Sequence, residues 1–433
     1  MTTRPSDAII IGAGLAGLSA ATYLARAGCS VTVLEKGHEA GGRAATHDRG
    51  GYLLNLGPHA HYLGGPAEAV LAELGVAVRG AKPPTSGHAL LGPDLRSHIL
   101  PAGVVSLLST GLLPVAAKIE AAGFLAALGK MDPAPLVGAT LADWLARDFR
   151  HPEVRSLIAT LVRVATYAHA PEILSAGDAL LQLQLAARHG VLYLDGGWRT
   201  LVDSLRAAAT EAGAHIVTDA RAEAVETDAT GAALAVRTRD GTHRAGHAVL
   251  LATGSPESTG ALCSAARHDD LVPIRAACLD VALRGLPRPR ATFALAIDRP
   301  LYYSVHSRSA RLAPAGGAVI HVAKYLAPGE RGDAQSEAEL MHVLDVLQPG
   351  WRDLVVERRF MPQLTVVHAL PTAAMGGRLG RPGVEVPGCA GLYLAGDWVG
   401  PDGHLADASF ASARSAAQRI LARRSAHMSG RAA

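Results

Sequence analysis

A run of apolar residues, Ala8 to Ile11, meets a glycine turn and passes into apolar positions at helical spacing that end at Gly28. A second short run, Val31 to Leu34, closes on Glu35. Strand, turn, helix and strand in that order predict a βαβ unit with a right-handed crossover. From Gly37 to Gly65 glycine and histidine dominate, which reads as ordered loop with one short strand. Between Val104 and Ala187 strand signals give way to helical periodicity, clearest over Asp143 to Arg147 and Val154 to Val164. A helix from Leu201 to Ala212, a strand near Ile216, a hairpin about Asp240-Gly241 and the apolar run Ala248 to Ala252 then return the chain to the first sheet. Residues 278 to 370 alternate apolar and polar between turns at Pro287, Pro300 and Ala315-Gly-Gly, predicting a second, largely antiparallel sheet. Gly391 to Asp397 is one more buried strand, Ala406 to Arg423 a closing helix, and Arg424 to Ala433 a frayed end.

The fold class is therefore α/β, α+β overall. A Rossmann-type dinucleotide-binding domain is assembled from residues 1–80, 191–275 and 385–425, and a substrate domain of antiparallel sheet plus helices from 81–190 and 276–384. With 433 residues, 49% hydrophobic and 18% charged, the chain is too large and too apolar for a disordered segment or a small peptide-binding module. Its net charge of +3 is scattered, so nucleic acid is not a partner. Four separated cysteines without CxxC spacing argue against a disulfide framework or zinc site and fit a reducing cytoplasm. The start, Met1 to Asp7, has no targeting character. Val104 to Ala117 is too short to span a bilayer and is interrupted by Gly111 and Pro114. A buried helix or cavity wall is the favoured reading there, with a membrane-surface segment as the other, so the chain is placed in the cytoplasm, free or peripheral to a membrane.

Chemistry enters at Gly12, Gly14 and Gly17, where a strand becomes a helix. The first allows a tight turn, the second lets a pyrophosphate approach the backbone, and the third lets helix and strand pack closely, with Leu15 and Ala16 at the helix N-terminus. Glu35, followed by Lys36, sits where an acid accepts hydrogen bonds from adenosine ribose hydroxyls. No second GxGxxG occurs, only Ala252-Thr253-Gly254, so one dinucleotide site is the simpler reading. Gly41-Gly42-Arg43 and Gly396-Asp397 are further loops of cofactor-facing type. Hydrolase elbows, Walker sequences and His-Glu-x-x-His are absent.

The sequence resembles the FAD-dependent amine oxidase and phytoene desaturase superfamily, and within it the phytoene-dehydrogenase-like oxidoreductases. The resemblance is carried by Gly12 to Glu35, Gly41 to Arg43, Gly57-Pro58-His59-Ala-His-Tyr62, Tyr193 to Trp198, Pro349 to Trp351, and Leu394 to Gly400 through Ala406 to Ser409. It implies that Gly42 and Arg43 line pyrophosphate and flavin, that Gly57, Pro58 and His59 border the cofactor, that Val225 gives backbone contacts to adenine, and that Thr253 and Gly254 flank the dinucleotide. It further implies that Gly396 and Asp397 bind the ribityl-phosphate region and that Ala406, Ala408 and Ser409 present a helix N-terminus to the pyrimidine end of the flavin. Such an N-terminus suits the negative charge that builds there on reduction.

Departures matter too. The stretch Arg275 to Asp280 lacks the active-site lysine of many amine oxidases, Lys324 being the only lysine nearby in sequence, and Leu405 stands where an amine-caging aromatic is expected. No cysteine flanks Gly396-Asp397, so the FAD is non-covalent. His59 and His61 share a face of an extended segment and lack a third ligand, so no metal is assigned. Tyr62, Trp198, Tyr302, Tyr303, His306 and His321 are the remaining polar aromatics in range, and His59, Tyr62 and Tyr302 are the catalytic candidates, although a structural imidazole is the commoner fate of any one histidine. The activity implied is dehydrogenation of a hydrophobic small molecule by hydride transfer to flavin N5, in isoprenoid or secondary metabolism, with oxygen or quinone as acceptor. Oxidation at a C–N bond and a non-catalytic escort protein on the same fold are the alternatives.

Overall fold

A computed structural model describes residues 5–84 and 86–432, with side chains described as far as residue 427. Two large sheets organise it. The first runs in the order His215–Val217, Val31–Leu34, Ser6–Ile11, Gly241–Leu251, Ala233–Thr238, Ala222–Thr227, with Leu392–Leu394 also paired to Gly241–Leu251. Ile9 and Ile10 are wholly buried, as a strand covered on both faces requires. Ile11 lies opposite Leu34 on one side and Leu251 on the other, and Leu251 lies opposite Leu394, all in parallel pairs. That register decides where the site is: Gly12, Glu35, Ala252 and Ala395 leave the carboxyl ends of parallel strands side by side, where ligands of open α/β sheets bind.

The second sheet runs Val355–Val367, Ile274–Leu283, Ala318–Leu326, Leu301–Val305, Phe293–Ala296, His88–Leu91, Arg96–Ile99. It is antiparallel except where Phe293–Ala296 meets His88–Leu91 in parallel. That hairpin comes from ahead of the helical stretch, where no strand was anticipated. Helices Val104–Ser109, Val115–Ala127, Leu141–Asp148, Pro152–Thr166 and Ala176–His189 supply the predicted helical insertion and pack around Trp144, Phe124 and Phe149.

Several expectations need correction. Ala334–Leu347 is a helix inside the stretch expected to be all sheet. Its Leu340, Val343, Leu344 and Leu347 follow helical spacing and bury against Leu279, Val281 and Ile320, and Asp333 caps it by accepting from Ser336 N. The glycine-rich region after Gly37 holds the hairpin Thr46–Arg49 with Tyr52–Asn55 as well as the short strand His61–Tyr62. The last helix does not fray at Arg424 but continues to Ala432, since Arg424 donates to the carbonyls of Ala27 and Gly28. Finally, Val104 to Ala117 is neither a buried helix nor a cavity wall, because Val104, Val105, Leu108 and Val115 face solvent. Among the described residues no helix is long and apolar enough to cross a membrane.

Candidate active site

The glycine turn is built as its spacing predicts. Gly12 has φ +106°, and a Cβ there would stand 2.3 Å from Ala252 O; one on Gly17 would stand 1.9 Å from Gly12 O. Both positions are closed to larger residues by the protein itself. Gly14 differs: its Cβ would meet nothing nearer than Gly41 O at 4.0 Å. Packing therefore leaves room at Gly14, and the room opens on the cavity that Gly14 helps to line. The helix Leu15–Arg26 starts there without a side-chain cap, leaving its first N–H groups for a ligand. Glu35 is held in place by Ala13 N, which donates to its Oε2, and Gly37 N, which donates to its Oε1, both at 2.8 Å.

The cavity, about 480 Å³, continues from this turn between the two sheets. Midway, Arg43 donates to Asp397 Oδ2 at 2.7 Å and to Val366 O at 2.9 Å. His368 adds its backbone N–H to Asp397 Oδ2 at 3.2 Å, and its Nδ1 lies 3.4 Å from Oδ1. Burial alone pushes the Asp397 carboxyl up, but Arg43 and His368 outweigh it and hold the group ionised well below the usual carboxylate range. Ala406 and Ser409, in the first turn of the long C-terminal helix, line the same stretch.

Beyond Arg43 the wall becomes apolar: Leu56, Pro58, Ala60, Tyr167, Trp198, Ala276, Cys278, Leu364 and Leu405 line it with His59. Tyr167 and Leu405 have φ of +59° and +55°, two of the four described non-glycine residues with positive φ. Left-handed backbone in bulky residues is costly and is maintained only where the surroundings over-determine it. His59 Nδ1 lies 3.1 Å from Gly57 O, and its ring is tilted against Trp198 at 5.0 Å. Burial lowers the His59 pKa to about 4, so the imidazole is neutral at ordinary pH. With the hydrogen on Nδ1 for Gly57 O, the lone pair is on Nε2.

A buried polar network supports this wall from behind. Asp280 accepts from His321 Nδ1 and from Arg359, each at 2.6 Å, and more weakly from Gly57 N at 3.3 Å. Arg359 also donates to Asn55 O, so one carboxylate fixes both ends of the segment leading to Pro58 and His59. Next to it, Tyr193 stacks on His306 at 3.8 Å, and Tyr302 OH lies between Tyr193 OH at 3.0 Å and His306 Nε2 at 3.1 Å.

Of the residues expected from sequence, Gly12, Gly14, Leu15, Ala16, Glu35, Lys36, Gly42, Arg43, Pro58, His59, Thr253, Gly254, Gly396, Asp397, Ala406 and Ser409 come together on the cavity. Gly17, Gly57, Val225 and Ala408 are not in its lining: Gly17 and Gly57 act through close packing, and Val225 stands in the strand Ala222–Thr227. Tyr62 and Tyr302 are also set back, Tyr62 donating to Ala165 O at 2.7 Å. His61 is buried in its strand, and Lys324 is paired with Glu330 and Glu339 outside the cavity. Sequence reading did not single out Tyr167, Cys278, His368 or the run Gln363 to Val366 as lining residues. The register of the second sheet brings in Cys278 and the run Gln363 to Val366, His368 follows directly after that strand, Tyr167 stands at the C-terminal cap of the helix Pro152–Thr166, and no local motif marks them.

A glycine turn whose Gly14 packing does not require, a backbone-held acid at the end of the second strand, and a cleft shared with a second sheet define an FAD-dependent oxidoreductase. The chain belongs to the flavin containing amine oxidoreductase family, which it matches over residues 15–267. An oxidoreductase from Methanosarcina mazei is similar in structure, with TM-score 0.76 and 21% identity over 94% of this chain and 99% of that one. So is putrescine oxidase bound to putrescine, with TM-score 0.69 and 16% identity over 97% of this chain and 100% of that one. An L-amino acid oxidase of Lachesis muta is 52% identical over 59 residues, which is 13% of this chain and only 11% of the relative's length.

Proposed function

We propose that this flavoenzyme dehydrogenates a neutral, apolar small molecule held against the second sheet. The observation that carries this reading is the charge of the wall: no acid and no lysine stands among its residues from Leu56 to Ala60 or at Tyr167, Trp198, Ala276, Cys278, Leu364 and Leu405. The lining acids, Glu35 and Asp397, lie toward the dinucleotide and are already bonded to backbone N–H groups and Arg43. An ammonium group here would be desolvated without a counter-charge, and a substrate carboxylate would compete with Asp397 for Arg43.

Gly12 to Ala16 and Gly42 hold the pyrophosphate, Glu35 the ribose, and Asp397 with the N-terminus of the last helix the flavin end of a non-covalent FAD. FAD, when bound there, would supply the two-electron acceptor for the hydride. The apolar wall orients the substrate and excludes water, and His59 Nε2 accepts the proton released from the neighbouring carbon, as a weak base. Tyr62 and Tyr302 position that wall from behind. The two lobes, 1–80 with 191–275 and 385–425, and 81–190 with 276–384, divide cofactor from substrate. Oxygen or a quinone would be the final electron acceptor, in the cytoplasm, free or peripheral to a membrane.

Family membership favours a second reading, oxidation of a C–N bond in an uncharged amine. Anaerobic mixing of the oxidised protein with an apolar isoprenoid, a diamine, an L-amino acid, NADH and NADPH separates them. Saturable bleaching of the flavin band by the isoprenoid alone is the expected result. Bleaching by an amine or a nicotinamide instead would replace the dehydrogenase reading with an amine oxidase or a reductase.

A further inference from the structure

Ten large hydrophobic side chains are exposed among the described residues, and six of them, Ile99, Val104, Val105, Leu108, Val115 and Ile119, fall within 21 consecutive positions. The last five expose between 68% and 81% of their surface. They stand on the helices Val104–Ser109 and Val115–Ala127, where Val104 and Leu108, and again Val115 and Ile119, are four apart and so share a face. The opposite side of this segment is already used: Leu107, Leu113, Ala117 and Ala121 are buried in the core beneath. Folding explains the inner apolar stripe. It does not explain the outer one, and a contiguous apolar patch left in water marks a surface that something covers.

Charge selects the occupant. From Leu95 to Ile119 the chain contains Arg96 and Lys118 and no acid. Lys118 Nζ donates to Leu108 O at 2.7 Å, which fixes its ammonium beside the exposed leucine at the end of the first helix. Glu120, the next acid, faces away, accepting from the backbone N–H groups of Arg150 and His151 at 2.8 and 3.0 Å. We propose that these two helices dock the protein on an anionic lipid bilayer, with Val104, Val105, Leu108, Val115 and Ile119 among the upper acyl chains and Lys118 at the phosphates. Apolar face inward and basic groups at headgroup depth is the pattern of a helix lying in the interface without spanning it. A second copy of the chain fits less well, because a two-fold interface would bring this acid-free face onto itself, Lys118 near Lys118. The inference does not depend on which bond the enzyme oxidises. It does tie the surface to the site, since the core under these helices continues to Tyr167, Ala276 and Cys278 of the cavity wall.

The test is flotation of the FAD-loaded full chain with vesicles of phosphatidylcholine, with and without phosphatidylglycerol, at physiological and high salt. The wild type is expected to float with the anionic vesicles, and less so at high salt. The triple substitution Val105→Ser, Leu108→Ser, Ile119→Ser should lower the bound fraction about tenfold or more, while flavin absorbance and thermal melting stay as in the wild type. Lys118→Glu should weaken binding to anionic vesicles only. Wild type that stays at the bottom of the gradient, or a triple variant that floats as well as the wild type, overturns the proposal. A lipid-free wild-type dimer that the triple variant turns into a monomer also overturns it, assigning the face to a second copy.

Discussion

Arg43 Nη1 lies 2.7 Å from Asp397 Oδ2, joining residues 354 positions apart across the cavity. The first comes from the loop after the second strand and the last from the end of the C-terminal strand, so the pair ties the two ends of the chain together across the cavity. Asp397 is almost wholly buried and Arg43 about one-third exposed on its side chain.

Arg43→Met is therefore expected to destabilise the protein by leaving a buried carboxylate with only His368 beside it, a loss on the order of 3 kcal/mol. The sign of its pH dependence follows from the depressed pKa of Asp397. A carboxyl ionised more easily in the folded state contributes stability above its unfolded pKa of about 4 and loses that contribution as pH falls through the folded value. The deficit of the variant should thus be largest near neutrality and shrink in acid. Urea titrations of both proteins at several pH values measure it, and a deficit independent of pH would refute the role of the pair.

Gly14→Val should give a folded, colourless protein, since a side chain there displaces only what binds in the cavity. Gly12→Ala should behave differently: with φ +106° and Ala252 O at 2.3 Å, it strains the sheet edge itself and lowers the melting temperature. Flavin absorbance and circular dichroism separate the two effects. A Gly14 variant that keeps its full flavin complement would remove the pyrophosphate from this turn.

The glycine turn and the acid after the second strand were legible because their signals are local. Gly12 to Glu35 carries turn, helix, strand and acid within 24 consecutive residues. The second sheet was less so. Cys278 and Leu364 line the cavity because strands Ile274–Leu283 and Val355–Val367 pair in a particular register, with shifts at Ile274/Arg275 and Ala276/Cys278, and such irregularities leave no mark in residue type. Alternation across 278–370 hid the helix Ala334–Leu347, whose cap at Asp333 was the available clue. Aromatic and imidazole side chains were noticed at Tyr62, Tyr302, His306 and His321, but composition cannot tell a cavity wall from the layer behind it.

That layer is tested by Asp280→Ala. Asp280 is fully buried, and burial pushes its pKa up, but His321 and Arg359 outweigh this and keep it ionised. Removing the carboxylate leaves the buried His321 imidazole without its partner and the part-buried Arg359 guanidinium with Asn55 O alone, at a cost of roughly 3 kcal/mol. Asp280→Asn should cost less, since its amide oxygen still accepts from one of them. Equal melting temperatures for the alanine variant and the wild type would show that the network contributes nothing to the wall.

His59, with its pKa lowered to about 4 by burial, is neutral across the physiological range. Flavin reduction by the true substrate should then show no titration from this group between about pH 5.5 and 8. His59→Gln should slow that reduction by roughly tenfold to a hundredfold if Nε2 takes the proton, with little change in flavin content. For stability the sign is the reverse of a paired histidine: the unfolded chain protonates first, so the His59 contribution declines as pH drops from about 6.5 towards 4. Unchanged reduction rates in the variant would take His59 out of the chemistry.

Asp407, in the first turn of the last helix, is buried, and its Oδ1 accepts from the Ala67 backbone N–H. Burial raises its pKa to about 7, the Ala67 N–H at 2.9 Å opposing and Glu68 adding to the shift. The folded state therefore binds this proton more tightly than the unfolded chain, whose aspartate titrates near 4. Stability from this group is fully present below about pH 4, falls as pH climbs through about 7, and is flat above, at about 1.4 kcal/mol for each unit of the shift. Asp407→Asn keeps an acceptor for Ala67 N–H and cannot ionise, so it should be more stable than the wild type at pH 8, with the gain vanishing near pH 4. Ser409, two residues on, lines the cavity, so the same ionisation in the wild type should loosen the helix start and speed flavin loss above pH 7. Melting temperature and flavin dissociation rate followed from pH 4 to 9 in both proteins decide it, and identical curves would show that Asp407 is ionised throughout.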